Sequence, residues 1–389
     1  MGPERFRNTI IMTKFQSILR GGPVVCAVDR YYQIMVPVRC ETLMRVTVNG
    51  KDYYDHVNGV RRTSCPVQVF TVPMRELNEA GEYTLRYQRV ISRQAYSCLK
   101  GREVSRRYSF RGIKDDGPVN VYVISDCHGI RNESIAACTF FDGAPDLLIL
   151  NGDVSSSCAT EEESLLPLDI AWAVTGGTVP CVVTRGNHDL RGTYSEKLND
   201  YIPTYNGKTY YQVCLGPLWL LVLDCGEDKD DGHREYGGTA AYHAMRLDET
   251  DFLYTVADDP SAGFLDPAVK HRIIVSHIPF SYRDRGEEKG ERPFDIEDEI
   301  YSDWISVLND KIHPDLCIAG HLHRCEVWQV DSEKNARGVN CPVLIAGKPV
   351  HRGDRNCIGA AVTLSDGQAH VRFTDKRRTI LEETSISYK

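Results

Sequence analysis

The chain has 389 residues, 42% hydrophobic and 26% charged, with a net charge of −8. That composition excludes collagen-like and low-complexity chains, and no run of about 18 apolar residues offers a membrane-spanning helix. The length allows two domains, because single cores usually stop growing near ~250–300 residues.

The charge is uneven. Residues 1–115 carry 20 Lys and Arg against 10 Asp and Glu, and the remainder 26 against 44. A basic first third on an acidic remainder is read as complementary docking or as solvated surface. Its functional reading is an anion-binding region. The first residues, with Arg5, Arg7 and Lys14, are basic, but the apolar patch at 10–12 is too short for a signal peptide. Residues 1–23 are expected to be a leader. The 14 cysteines form no C-x-x-C pair, so reduced thiols in a cytoplasmic protein are expected.

From residue 24 the pattern predicts short strands at 24–29, 32–38, 42–48, 67–72, 83–90 and 103–110. Asn49-Gly50 is a hairpin signal, since a type I′ turn needs positive φ at both positions. Strands without a long helix predict an all-β, Ig/fibronectin-III-like sandwich domain over 24–114. The sequence 114–118 marks its end. Beyond it come nearly continuous apolar runs at 121–125, 147–150, 181–184, 218–223, 272–276 and 316–319, the signature of strands buried on both faces. Helices are expected at 161–175 and 296–311. This alternation predicts a layered α/β domain over 118–375, followed by a C-terminal tail at 376–389. The charged stretch 281–300 reads as an exposed loop.

Most of these runs end in the same kinds of residue. The first leads to Asp126-Cys127-His128, the second to Asn151-Gly152-Asp153 and the third to Gly186-Asn187-His188-Asp189. The run at 272–276 leads to His277, and the last to Gly320-His321-Leu322-His323. Ligands collect beyond the carboxyl ends of strands in α/β sheets, so these side chains should converge. Asp, Asn and His supply oxygen and imidazole donors suited to Mn, Fe or Zn. Strand alternation suggests that Asp126 and His128 point together, as do His321 and His323, with Cys127 turned into the packing.

This motif set resembles that of the calcineurin-like metallophosphoesterase superfamily, over roughly residues 118–350 and with no motif position missing. The resemblance implies a two-sheet β-sandwich core flanked by helices, and two metal ions. It puts Asp126, His128, Asp153 and His323 on one ion and Asp153, Asn187, His277 and His321 on the other, with Asp153 bridging. It makes His188 a group beside the scissile phosphate, oriented by Asp189. The N-terminal sandwich also resembles that of purple acid phosphatases. Those enzymes, however, have Gly where this chain has His128, and a ligand Tyr where it has Ser156.

The expected reaction is hydrolysis of a phosphate mono- or diester by a metal-bridging hydroxide, with His188 as general acid and Arg185 as a phosphate contact. His233 and Tyr236 are further candidates for the pocket wall. The expected partner is a small phosphate ester, with no membrane partner. Two alternatives are a catalytically silent scaffold, like the retromer subunit of this fold, and a nuclease gripping nucleic acid with the basic N-terminal region.

Overall fold

The computed structural model describes residues 17–283, 296–347 and 356–388. Two large sheets form its body. The six-stranded sheet runs Tyr211–Leu215, Leu218–Leu223, His271–Ser276, Leu316–Ala319, Val343–Ala346, Cys325–Trp328. The nine-stranded sheet contains the parallel trio Val119–Ile124, Leu147–Asn151 and Pro180–Thr184 at its centre.

Side chains alternate along these strands and so build three cores. Val121, Val123, Ile149 and Val182 meet Leu220, Val222, Ile273 and Ile318 between the sheets. Tyr122, Ile124, Leu148 and Leu150 point the other way, under the helix Glu161–Thr175 through Leu168 and Ala171. Leu221, Leu223 and Ile274 lie under the helix Asp298–Val307 through Trp304 and Ile305. The fold is therefore a two-sheet sandwich flanked by helices, as expected. Apolar runs with no polar alternation are what such doubly covered strands require.

The helix Glu161–Thr175 starts at a capping box between Thr160 and Glu163 and stops at Gly176, whose φ of 58° suits glycine. The 296–311 expectation resolves into the helix Asp298–Val307 and a wide turn, Leu308–Ile312. The helices Tyr242–Asp258 and Met74–Ala80 were not foreseen. Most of the expected exposed loop 281–300 lies outside the described residues.

The N-terminal strands do make a sandwich, with Asn49 and Gly50 at φ 49° and 79° in the predicted hairpin turn. One of its sheets runs Val104–Ser109, Glu82–Gln94, Thr42–Val48, Lys51–Tyr53. The other is not independent. Val24–Val28 pairs in parallel with Pro180–Thr184, so Val24–Val28, Tyr31–Pro37 and Val67–Pro73 complete the nine-stranded sheet. The composition break at 114–118 therefore does not interrupt that sheet.

The chain ends also differ from expectation. Within the expected leader, residues 1–16 lie outside the described residues, and Leu19 is buried and bridged to Val38. The expected C-terminal tail forms the edge strand Ile380–Ser387, paired with Gln368–Thr374. Its one buried position is Ile386.

Candidate metal centre

Parallel pairing sets the carboxyl ends of Val119–Ile124, Leu147–Asn151 and Pro180–Thr184 side by side, and does the same for His271–Ser276 and Leu316–Ala319. The loops that follow bring the predicted side chains together. Donor atoms of Asp126, His128 and His323 lie within 4.8 Å of one another, as do those of Asp153, His277 and His321. Asp153 also forms such a group with His128 and His188. Asn187 completes the cluster with its amide oxygen 3.0 Å from His321 Nδ1.

Strand alternation is not what aims these groups. Asp126, His128, Asp153, His321 and His323 all have left-handed φ, between 44° and 67°. Such a conformation disfavours L residues by about 1–2 kcal/mol each, and it gathers at functional sites. The loops compensate by bonding to one another. Asp126 N donates to Gly152 O at 3.1 Å, His128 N to Asp153 O at 3.0 Å, and Gly320 N to His277 O at 2.9 Å. Cys127, between two of the candidates, is fully buried in packing, as expected.

Two glycines allow this closeness. A Cβ on Gly186 would stand 2.3 Å from Asp153 Oδ1, and one on Gly347 would stand 2.6 Å from Asp126 Oδ2. Gly347 carries no motif and was not foreseen.

The electrostatics are those of a cation cradle. His128 Nε2 and His323 Nε2 face each other at 2.9 Å, and His323 Nε2 is 3.2 Å from Asp126 Oδ1. His277 donates Nδ1–H to the Asn151 carbonyl at 2.7 Å, which leaves Nε2 directed at Asp153 Oδ2, 3.3 Å away. The Asn187 amide oxygen faces that same carboxylate oxygen at 3.2 Å, acceptor against acceptor. A cation between them matches this orientation, whereas in its absence turning the amide over gives hydrogen bonds to His321, Asp153 and Arg191.

Burial pushes the Asp153 carboxyl up, but His277 outweighs it and holds the group well below the usual range. Burial works against charge on His277, but Asp153 raises its pKa to about 10. His128 is lowered to about 4, chiefly by burial. The donor set, its burial and its converging lone pairs fit transition-metal ions.

His188 stands at the rim with Nε2 4.0 Å from Asp153 Oδ2. Its orienting partner is not Asp189. His188 Nδ1 donates to the Ser156 carbonyl at 2.9 Å. Asp189 is buried and accepts from Gly186 N at 2.8 Å and Asp153 N at 3.0 Å, so it clamps two site loops. Its short side chain, adjacent to His188 on a 3-10 turn, reaches backbone and not the neighbouring ring. Arg185 is engaged by the buried Asp224 and by Met245 Sδ, so it is tied into the protein.

Several supporting contacts go beyond the donor roles read from the motifs. Asn151 binds three strands: besides its carbonyl on His277, its amide donates to Ser276 O at 3.0 Å and accepts from Thr184 Oγ1 at 2.8 Å. Arg191 forks onto the buried Glu227 at 2.8 and 3.0 Å, with Nη2 3.0 Å from the Asn187 amide. Asp228 lies 3.6 Å from His321 Nε2. The loop after Leu218–Leu223 thus meets the site through two acids. His233 caps the turn Arg234–Tyr236, and Tyr236 packs beside Tyr242. Polar loop residues of this kind become legible only when the fold brings them to the ligands.

Residues 119–325 match the calcineurin-like phosphoesterase family, and the chain belongs to it. No curated protein matches the chain by sequence. Among solved structures, purple acid phosphatase PPD1 from yellow lupin (Lupinus luteus) seeds has a TM-score of 0.57 at 11% identity, covering 95% of this chain and 75% of that one. The structure of PhoD also has a TM-score of 0.57, at 10% identity, covering 96% of this chain and 91% of that one. At such identities the likeness is one of fold. The family implies metal ions, and the described residues contain no helix long and apolar enough to cross a membrane.

Proposed function

We propose that the protein is a dinuclear metallophosphoesterase that hydrolyses small phosphate mono- or diesters. The observation that carries this reading is Asp153, whose carboxylate belongs to donor groups on both sides of the site. Asp126, His128, Asp153 and His323 would hold one ion, and Asp153, Asn187, His277 and His321 the other. Bound there, a pair of Mn, Fe or Zn ions would offset phosphoryl charge and make water a nucleophile near neutral pH.

The remaining work falls to the protein. The Ser156 carbonyl fixes the proton on His188 Nδ1. Nε2 is then the nitrogen that faces the site. His188 is therefore placed to give a proton to the leaving oxygen. Asp189 and Asn151 hold the ligand loops in register. Both arginines are paired with a buried acid, but Arg191 is the more exposed, at 32% against 14%, and lies 3.0 Å from the Asn187 amide, so it replaces Arg185 as the preferred phosphate contact.

The test is metal analysis of purified protein together with a panel of mono- and diesters assayed with Mn, Zn or Fe. Two bound ions per chain and metal-dependent hydrolysis are expected. One ion per chain at saturation, or hydrolysis indifferent to chelation, contradicts the reading.

A further inference from the structure

The proposed chemistry uses none of the basic surface on the N-terminal strands. Residues 86–107 contain seven Lys and Arg against one acid, Glu103, in a chain of net charge −8. Their centre is the hairpin of Glu82–Gln94 and Ser97–Lys100. Thr42–Val48 pairs with the first of these strands only as far as Arg89, and Val104–Ser109 only as far as Tyr87. Beyond Val90 the strand pairs with Ser97–Lys100 alone, so the hairpin projects past its sheet.

The projecting end is apolar where solvent should favour polar residues. Ile91 is 58% exposed, Leu99 60%, and Tyr96 fully exposed. Beside it, the short hairpin with the turn Asn58-Gly59 exposes Val57 and Val60, which line one cleft with Arg93. Single exposed apolar residues are ordinary, but five of them on a projecting hairpin and its neighbour mark an interaction surface. Cations surround it. Arg89, Arg93, Lys100 and Arg102 are exposed and ion-paired with no described residue, whereas Arg86 and Arg107 meet Glu103 and Glu82.

We propose that this hairpin docks the protein on an anionic lipid bilayer. Ile91 and Leu99 would enter the boundary between headgroups and acyl chains, Tyr96 would sit at headgroup level, and the cations would meet lipid phosphates. Nucleic acid fits less well. Binding to single strands relies on several aromatics in a basic groove. Here one aromatic caps a projecting tip, and exposed aliphatic side chains gain little from phosphates. The expectation of no membrane partner rested on the lack of a spanning helix, which surface docking does not need. The inference stands apart from the catalytic reading.

The test is co-sedimentation of the full chain with vesicles of phosphatidylcholine, alone or with 30% phosphatidylserine. Binding should be at least tenfold tighter to the anionic vesicles, and should weaken sharply between 0.1 and 1 M salt as the Debye length falls from about 10 to 3 Å. Arg89→Glu with Arg93→Glu should weaken it about 25-fold or more, at roughly fivefold per cation. Ile91→Ser, Tyr96→Ser and Leu99→Ser together should weaken it at least tenfold. Both variants should keep the wild-type circular-dichroism spectrum and melting temperature, which shows that they fold. Equal binding to both vesicle types, or none, overturns the proposal. So does a tip variant that binds like wild type, because plain charge attraction then suffices. Tight oligonucleotide binding without vesicle binding assigns the surface to nucleic acid instead.

Discussion

His277 and His323 each present Nε2 to a carboxylate, at 3.3 Å from Asp153 and 3.2 Å from Asp126, but their surroundings differ. His277 is 2% exposed, its other nitrogen is held by the Asn151 carbonyl, and its side of the site is backed by Arg191, Glu227 and Asp228. His323 is 31% exposed and faces His128 across 2.9 Å. The inner histidine is thus part of the core, whereas His323 and His128 stand at the more open edge, although Asp126 behind them is as buried as Asp153 and both halves use left-handed loops. Ligands of one chemical type can therefore serve stability on one side and little beyond metal binding on the other.

The largest effect should come from the residue common to both halves. Asp153→Ala should abolish binding of both ions and reduce hydrolysis to background, as measured by metal analysis and assay on the same samples. Retention of one tightly bound ion would show that the halves do not share this carboxylate.

Next is the rim. His188→Ala should keep both ions and lose ~10²–10⁴-fold in kcat/KM on alkyl phosphates, but far less on p-nitrophenyl esters, whose leaving group needs no proton. Equal losses on both substrates would make His188 a positioning group.

Stability should separate the halves directly. With metal removed by a chelator, His277→Ala leaves the Asp153 carboxylate buried without its partner and should destabilise the fold by about 3–5 kcal/mol in urea. His323→Ala removes a partly exposed ring, and the buried Asp126 keeps its bonds from Ser125 Oγ and His321 N, so the cost should be smaller, about 1 kcal/mol. Similar values for the two variants would erase the distinction.

The pH dependence follows from the same pair. His277 is raised to about 10 in the fold, although burial opposes its charge, because Asp153 favours the imidazolium. A raised pKa stabilises the fold fully below the unfolded value, near ~6.5, and that stabilisation is lost as pH rises toward 10. The metal-free protein should therefore weaken between these limits, and Asp153→Asn should flatten the slope. Metal affinity should rise roughly tenfold per pH unit across the same window, because each binding event displaces this proton. A flat urea midpoint from pH 7 to 10 would contradict the pairing.

The smallest effect concerns the acids behind the inner half. Asp228→Asn should reduce affinity for one ion of the two by about 10–100-fold, read as a split in metal titration. Loss of both ions together would place Asp228 in the common framework.

Much of this was legible in the residues themselves. Local chemistry and period sufficed for the apolar strands, the Asn49-Gly50 hairpin and the helix Glu161–Thr175, because backbone preference and side-chain alternation act over a few residues. The ligand candidates were legible because each followed a buried run and carried a donor type. The sequence by itself thus determined which side chains gather, and the family they define.

It could not determine how they are aimed. Asp126 and His128 converge through left-handed turns laced to other loops, not through strand alternation. Asp189 clamps backbone where a contact with His188 was expected, and Arg185 is bound by Asp224, 39 residues away. Val24–Val28 joins a strand some 150 residues distant to complete a sheet that crosses the expected domain boundary. Glu227, Asp228 and Gly347 acquire a role only through proximity. Each of these outcomes depends on contacts between distant segments, whose distances and angles exist only once both sheets have packed.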